Sequence, residues 1–127
     1  SAIRARYHGE AWGMEMYRIL ARTQIALNRH SSVAEGMANN MRLFEATGVG
    51  ACQQTEDAPN LGELFAPGVE TAVYAGPDDL VTAARALLED DVLRVRIADA
   101  GQRRAHGEHT YTRRMAQLAA ILERHAT

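Results

Sequence analysis

Three short runs, residues 25–28, 51–55 and 71–75, alternate along the chain with segments whose apolar residues recur every three or four positions. Each run is too short for a helix and reads as a strand. Strands separated by helices do not pair as hairpins. They pair in parallel through helical crossovers, which are nearly always right-handed. The alternation therefore predicts an α/β fold: a parallel sheet of about three strands with helices flanking it. It also predicts where a ligand goes, because such sheets bind beyond the carboxyl ends of their strands. The loops at 29–39, 56–60 and 76–77 should share that rim.

Around the strands, Met14, Tyr17, Leu20 and Ala21 set a helical stripe over 13–22. A second helix is expected over 40–47, stopped by Gly48, and a short helical turn over 60–65, closed by Pro67 and Gly68. The run Gly76-Pro77-Asp78-Asp79 opens a helix faced by Leu80, Val81, Ala84, Leu87 and Leu88. Leu93, Ile97 and Ala100 carry another towards Gly101 and Gly107, and His106, Glu108 and His109 are read as the turn that follows. Thr110 caps a last helix whose Met115, Leu118, Ala119 and Leu122 are read as packing. Met14, Met16, Met115 and Cys52 are expected in the core. Residues 1–12 carry no clear period and are read as an irregular segment, the start of a piece cut from something longer.

Composition narrows the function. At 127 residues, 46% hydrophobic and 24% charged, the chain suits one folded domain with one core. Fourteen basic residues oppose sixteen acids for a net charge of -2. Divided after Leu64, the halves balance alike, with six Arg against seven acids and then eight against nine. That excludes the basic stripe of a nucleic-acid reader. All fourteen basic residues are Arg, so no lysine can form a Schiff base. A single cysteine excludes an internal disulfide and a cysteine-based zinc site, and the cytoplasm is the expected compartment.

The loop at 29–39 is long for a strand-to-helix connection, and overlong loops in compact domains tend to be functional. A helix starting at Asn40 offers free backbone N–H groups and the positive end of a dipole, a ready anion site. Gly36 and the serines before it allow close approach by a phosphate. Arg42 and Glu45, three apart, share one face of that helix. On the residues alone a second reading stands beside this one: Asn39 or Asn40 is an N-cap, and Arg42 with Glu45 a solvated pair. His30, at a strand's carboxyl end, is a candidate ligand contact. His106 and His109 lack a third ligand, so no metal and no cofactor are expected.

From Asn40-Met41-Arg42-Leu43-Phe44-Glu45-Ala46-Thr47-Gly48-Val49-Gly50-Ala51 the chain resembles the C-terminal domain of GT-B glycosyltransferases of the group 1 type, most closely the CgeB (spore maturation protein) branch. The likeness resumes at Leu61-Gly62-Glu63-Leu64-Phe65-Ala66-Pro67-Gly68-Val69-Glu70, at Tyr74 with Pro77-Asp78-Asp79-Leu80, and at Ala100-Gly101 with His109-Thr110-Tyr111. Met16-Tyr17-Arg18 and Ile25-Ala26-Leu27-Asn28 fit as well, so it covers nearly all of 12–124.

The resemblance implies a Rossmann-like sheet and makes 13–127 part of a C-terminal nucleotide-sugar-binding domain. It implies that Glu45 contacts the ribose of a nucleotide-diphosphate sugar and that amides around Asn39, Asn40 and Met41 meet the diphosphate. Many relatives carry a second glutamate eight positions before the first, where this chain has Met37. The family's enzymes place their site between two Rossmann-like domains. The N-terminal one, with the acceptor site, has no counterpart in this chain, and the acceptor is unknown. The isolated chain is therefore expected not to turn over. The donor site is expected to comprise Glu45, Arg42, Asn39, Asn40, Met41, His30 and Gly36. An alternative is a non-catalytic Rossmann-like binding or assembly module. Unpaired sheet edges lead us to expect a homo-oligomer.

Overall fold

The computed structural model describes residues 2–126. After a 3-10 turn at Arg4–Arg6, the elements run α1 (Gly13–Arg22), β1 (Ile25–Asn28), a second 3-10 turn at Ser32–Ala34, α2 (Met41–Gly48), β2 (Cys52–Glu56) and α3 (Leu61–Leu64). They continue as β3 (Ala72–Tyr74), α4 (Pro77–Glu89), α5 (Asp91–Glu108) and α6 (Tyr111–His125). The three strands form one parallel sheet in the order β1-β2-β3. Ile25 lies opposite Cys52, Asn28 opposite Thr55, and Glu56 opposite Tyr74. The α/β alternation thus gives the Rossmann-like layer that the spacing requires.

The central strand is the most buried, from Cys52 to Thr55. Its alternate residues serve opposite faces. Cys52 packs with Ala72, Leu87, Ile97 and Ala98, which brings α4 and the first half of α5 onto one face. On the other, Ala26 packs with Ala46 and Ala51 under α2. Leu43, Leu61 and Phe65 pack with Ala38, Ala58 and Ala105 where α2, α3 and the second half of α5 meet.

Helix α2 ends later than the sequence implied. Gly48 stays helical. The stop is Gly50, which takes φ +82, while the Gly50 N–H donates to the Thr47 carbonyl and the Ala51 N–H to the Ala46 carbonyl. Those two bonds are a Schellman ending, which needs its left-handed residue two places beyond the last helical one. Because the Ala51 N–H is spent on this cap, β2 starts at Cys52 and not at Ala51.

The glycines of α5 do not stop it either. The helix runs unbroken through Gly101 and Gly107, so His106 and Glu108 are helical and His109 is its C-cap, not an intervening turn. Gly101 is there for contact. A Cβ on it would lie 2.4 Å from the Glu70 carbonyl oxygen and 3.4 Å from the Thr47 side chain. Together with the bond from Gln102 Nε2 to the Gly48 carbonyl, this seats α5 against the segments leading into β2 and β3, opposite the binding rim.

Helix α6 corrects the reading of its apolar stripe as packing. None of its residues is buried, and Met115, Leu118, Ile121 and Leu122 are exposed. Met14 is exposed and Met16 half-buried, so of the methionines expected in the core neither Met14 nor Met115 belongs to it, whereas Cys52 does. Periodicity marks a face that prefers burial, and among the described residues nothing folds over these two.

Candidate functional site

The carboxyl ends of the strands meet as expected. The Asp57 N–H donates to the Tyr74 carbonyl, and the Tyr74 hydroxyl donates to the Asn28 carbonyl at 2.8 Å. Two hollows flank the start of α2.

What fixes that start is a pair of amides. Asn40 Nδ2 donates to Asn28 Oδ1 at 2.6 Å and to the Arg29 carbonyl at 3.0 Å, while Asn28 Nδ2 donates back to Asn40 Oδ1 and to Thr55 Oγ1. Asn40 holds the N-cap position, but its side chain makes no cap bond to the helix. The first amides of α2 are left without a side-chain acceptor, at the positive end of the helix dipole. The exposed Asn39 lines neither hollow.

The first hollow is a groove of about 520 Å³ between α1, α2 and α6, walled by Met41, Phe44, Met115 and Tyr111, with Tyr17 and Glu45 among its polar groups. The Glu45 side chain is 15% exposed. Its Oε1 accepts the Tyr17 hydroxyl at 3.4 Å, and its Oε2 lies 3.5 Å from Arg42 Nη1. Arg42 and Glu45 therefore do share a face, but the pair is half-buried and not a free surface bridge. Burial first, and then the neighbouring Glu45 carboxylate, push the Tyr17 phenol above its ordinary pKa, with Arg42 opposing, so Tyr17 keeps its proton for Glu45. Both bonds are long, and the carboxylate retains lone pairs for a further donor.

The second hollow, about 540 Å³, lies at the ends of β1 and β2 and is lined by Arg29, His30, Ser31, Gly36, Glu56 and Asp57 among others. His30 is 8% exposed. Its backbone N–H donates to Glu56 Oε2, and its Nε2 sits 2.7 Å from the Glu56 carbonyl. Gly36 takes φ +82 directly after Glu35 at φ +51, and the Met37 N–H closes the turn onto the Ala34 carbonyl. Two successive left-handed residues make a type I′ turn. The positive φ of Gly36 favours glycine there, and a Cβ at that position would meet nothing within 4 Å.

Of the residues read from sequence, Met41 and Glu45 line the groove, with Arg42 beside it through its pair with Glu45, and His30 and Gly36 line the rim hollow. Tyr17, Tyr111, Glu56 and Asp57 escaped that reading. Tyr17 stood in the α1 stripe as an apolar position. Glu56 and Asp57 sat in a loop expected on the rim, which was the available signal. His106 and His109 serve the fold, and His109 also lines the groove. Their Nε2 atoms lie 2.7 Å from the carbonyls of Gly48 and Leu64, and the His109 ring packs on Phe44 and Phe65.

The three-stranded parallel sheet flanked by helices is a Rossmann-like α/β layer. A family model described as glycosyl transferase-like matches residues 1–120, and the chain belongs to that family. No curated protein matches the chain. Among the described residues no helix is long and apolar enough to cross a membrane.

Proposed function

We propose that this chain is the donor-binding part of a glycosyltransferase that moves a sugar from a nucleotide diphosphate to an acceptor. The observation that carries the reading is Glu45, a mostly buried carboxylate at the edge of an apolar groove, one turn inside a helix whose first amides lack a side-chain cap. A diphosphate on the amides of Met41 and Arg42, near the backbone of Asn39 and Asn40, gains the dipole and the Arg42 charge. A ribose one helical turn away, about 5 Å, then meets Glu45, whose oxygens accept from its two hydroxyls. The groove is of a size that suits a nucleoside.

Within the family we take the CgeB-like branch as nearest, on the run from Asn40 to Ala51, and a GT-B arrangement with a Rossmann-like acceptor domain as the setting in which turnover occurs. By itself the chain binds donor in the millimolar range and turns over nothing. The free thiol of Cys52 fits a cytoplasmic protein.

The test is nucleoside diphosphate affinity. A charged acceptor contributes roughly 1.5 to 3 kcal/mol, so Glu45→Ala should weaken binding about tenfold or more. Arg42→Ala should weaken it with a steeper salt dependence, its partner being phosphate charge. Unchanged affinity in Glu45→Ala refutes the placement. The exposed stripe of α6 favours a second reading, an assembly module that self-associates. Sedimentation equilibrium at high micromolar concentration distinguishes it: oligomers support it and a monomer contradicts it.

A further inference from the structure

Helix α6 buries none of its residues, yet Tyr111, Arg114 and Met115 wall the groove beside Tyr17 and Phe44. Burial does not hold that wall in place. Among the described residues, one side-chain hydrogen bond joins α6 to anything before its cap: Arg114 Nη2 donates to His109 Nδ1 at 2.9 Å. The other arm of Arg114, Nη1, donates to Gln117 within the helix. A guanidinium only donates and a carbonyl only accepts, so the contacts of His109 with Arg114 and, at 2.7 Å, with the Leu64 carbonyl set its state. Nε2 carries the proton, and Nδ1 is the lone pair. The ring is packed as well as bonded, with centroids 5.2 Å from Phe44 and 5.0 Å from Phe65. His109 thus ties α2, α3 and α5 to α6.

Imidazole is the side chain that takes up a proton between pH 5 and 8. A proton on His109 Nδ1 occupies the lone pair that holds Arg114 and sets two cations against each other, so the proton and the bond exclude one another. The surrounding charges do not change that. From α6 come Arg113 and Arg114, and from α5 come Glu108 and Arg104, which shares the Leu64 carbonyl at 3.1 Å and holds Glu108 at 3.3 Å. Glu63 of α3 lines the polar hollow on the far side of the ring. In the groove stand Tyr111, Tyr17 of α1 and Glu45 of α2, which is engaged by Tyr17 and Arg42. Among the described residues no carboxylate is hydrogen-bonded to the ring.

We infer that His109 is the positioning residue of α6 and works as a proton-operated latch: neutral, it holds the α6 wall of the groove through Arg114, and protonated, it releases that wall. The inference does not depend on what the groove binds. Above the imidazole range the groove has its third wall, and below it the helix is free from Tyr111 onward.

The experiment is nuclear magnetic resonance of the wild-type chain between pH 7.5 and pH 5.0, reading the His109 ring nitrogens by long-range proton–nitrogen correlation and the amide order parameters of residues 91–125. At pH 7.5 the order parameters of α6 should match those of α5, at roughly 0.85, and as Nδ1 takes up its proton those of α6 alone should fall below about 0.6. Two variants separate the latch from the other histidines. Arg114→Met removes the bond and no histidine, and its α6 should be as mobile at pH 7.5 as the wild-type helix is at pH 5.0. His109→Gln cannot take up a proton, so the order of its α6 should not change over this range. Four results overturn the inference: a His109 ring that gains no proton by pH 5.0, an α6 equally ordered before and after it does, an α6 in Arg114→Met that keeps its order at pH 7.5, or a pH dependence that survives in His109→Gln.

Discussion

Helices α5 and α6 follow one another, yet they hold opposite relations between pattern and burial. The sequence of α5 is broken by two glycines and shows a weak apolar stripe, and it buries Arg94, Ile97, Ala98, Gly101 and Ala105. The sequence of α6 has a clean stripe at helical spacing and buries nothing. Helix α5 is held by close approach: small residues let it lie on the Glu70 backbone, and Gln102, Arg104 and His106 donate to carbonyls of Gly48, Leu64 and Glu63. Helix α6 has a hydrophobic face that the described residues do not bury. Amphipathic spacing reports that a face seeks burial. Which surface covers it depends on backbone geometry that spacing does not encode.

The sharpest way to break this contrast is at Gly101. A side chain there collides with backbone, which cannot step aside as a flexible side chain can, so Gly101→Val should cost roughly 3 kcal/mol in urea unfolding. A stability within 0.5 kcal/mol of wild type would show that α5 is not seated as described.

Cys52, packed against Ile97 and Ala98 of the same helix, gives the next largest effect. Burial pushes its thiol up to about 11, with the Arg94 charge pulling it down. Between the ordinary thiol range and that value the native state holds a proton that the unfolded chain has lost. Stability is therefore complete below about pH 8.5 and falls as pH rises to 11, by about 2 kcal/mol. Cys52→Ala should remove this part of the alkaline loss, which unfolding measured at pH 7 and pH 10 in both proteins will show.

Within α5 the second glycine should behave the other way. A Cβ at Gly107 meets nothing within 4 Å, so Gly107→Ala should add about 0.5 to 1 kcal/mol through helix propensity alone. The smallest effect belongs to α6, where Leu118→Ala and Leu122→Ala should each change the stability of the monomer by less than about 0.5 kcal/mol. A loss of 2 kcal/mol at either position would mean that α6 packs after all, on this chain or on a second copy.

These contrasts mark what the sequence carried. Strand positions were legible because runs of four or five residues between helical stripes have no other compact reading, and the parallel sheet followed from them. Gly48 and Gly50 could not be told apart, because the choice of left-handed residue lies in the cap bonds that Gly50 and Ala51 make. Of the candidate site, Glu45 and Arg42 were legible from spacing within one helix. Tyr17 was not: its hydroxyl reaches Glu45 from a helix 28 residues away, and a tyrosine in an apolar stripe carries no sign of where its oxygen points. Glu56 joins His30 for the same reason, through strand pairing and not through local sequence.

The central claim is that the start of α2, with Glu45 behind it, receives a nucleoside diphosphate. Amide nitrogen–proton spectra of the chain, titrated with uridine or guanosine diphosphate to 10 mM, test it most directly. The account predicts fast-exchange shifts concentrated at Met41 to Glu45 and at Tyr17, a millimolar dissociation constant, no comparable change in α4, and an affinity about tenfold weaker in Glu45→Ala. No shift at 10 mM, shifts centred elsewhere, or a Glu45→Ala variant that titrates as wild type would contradict it.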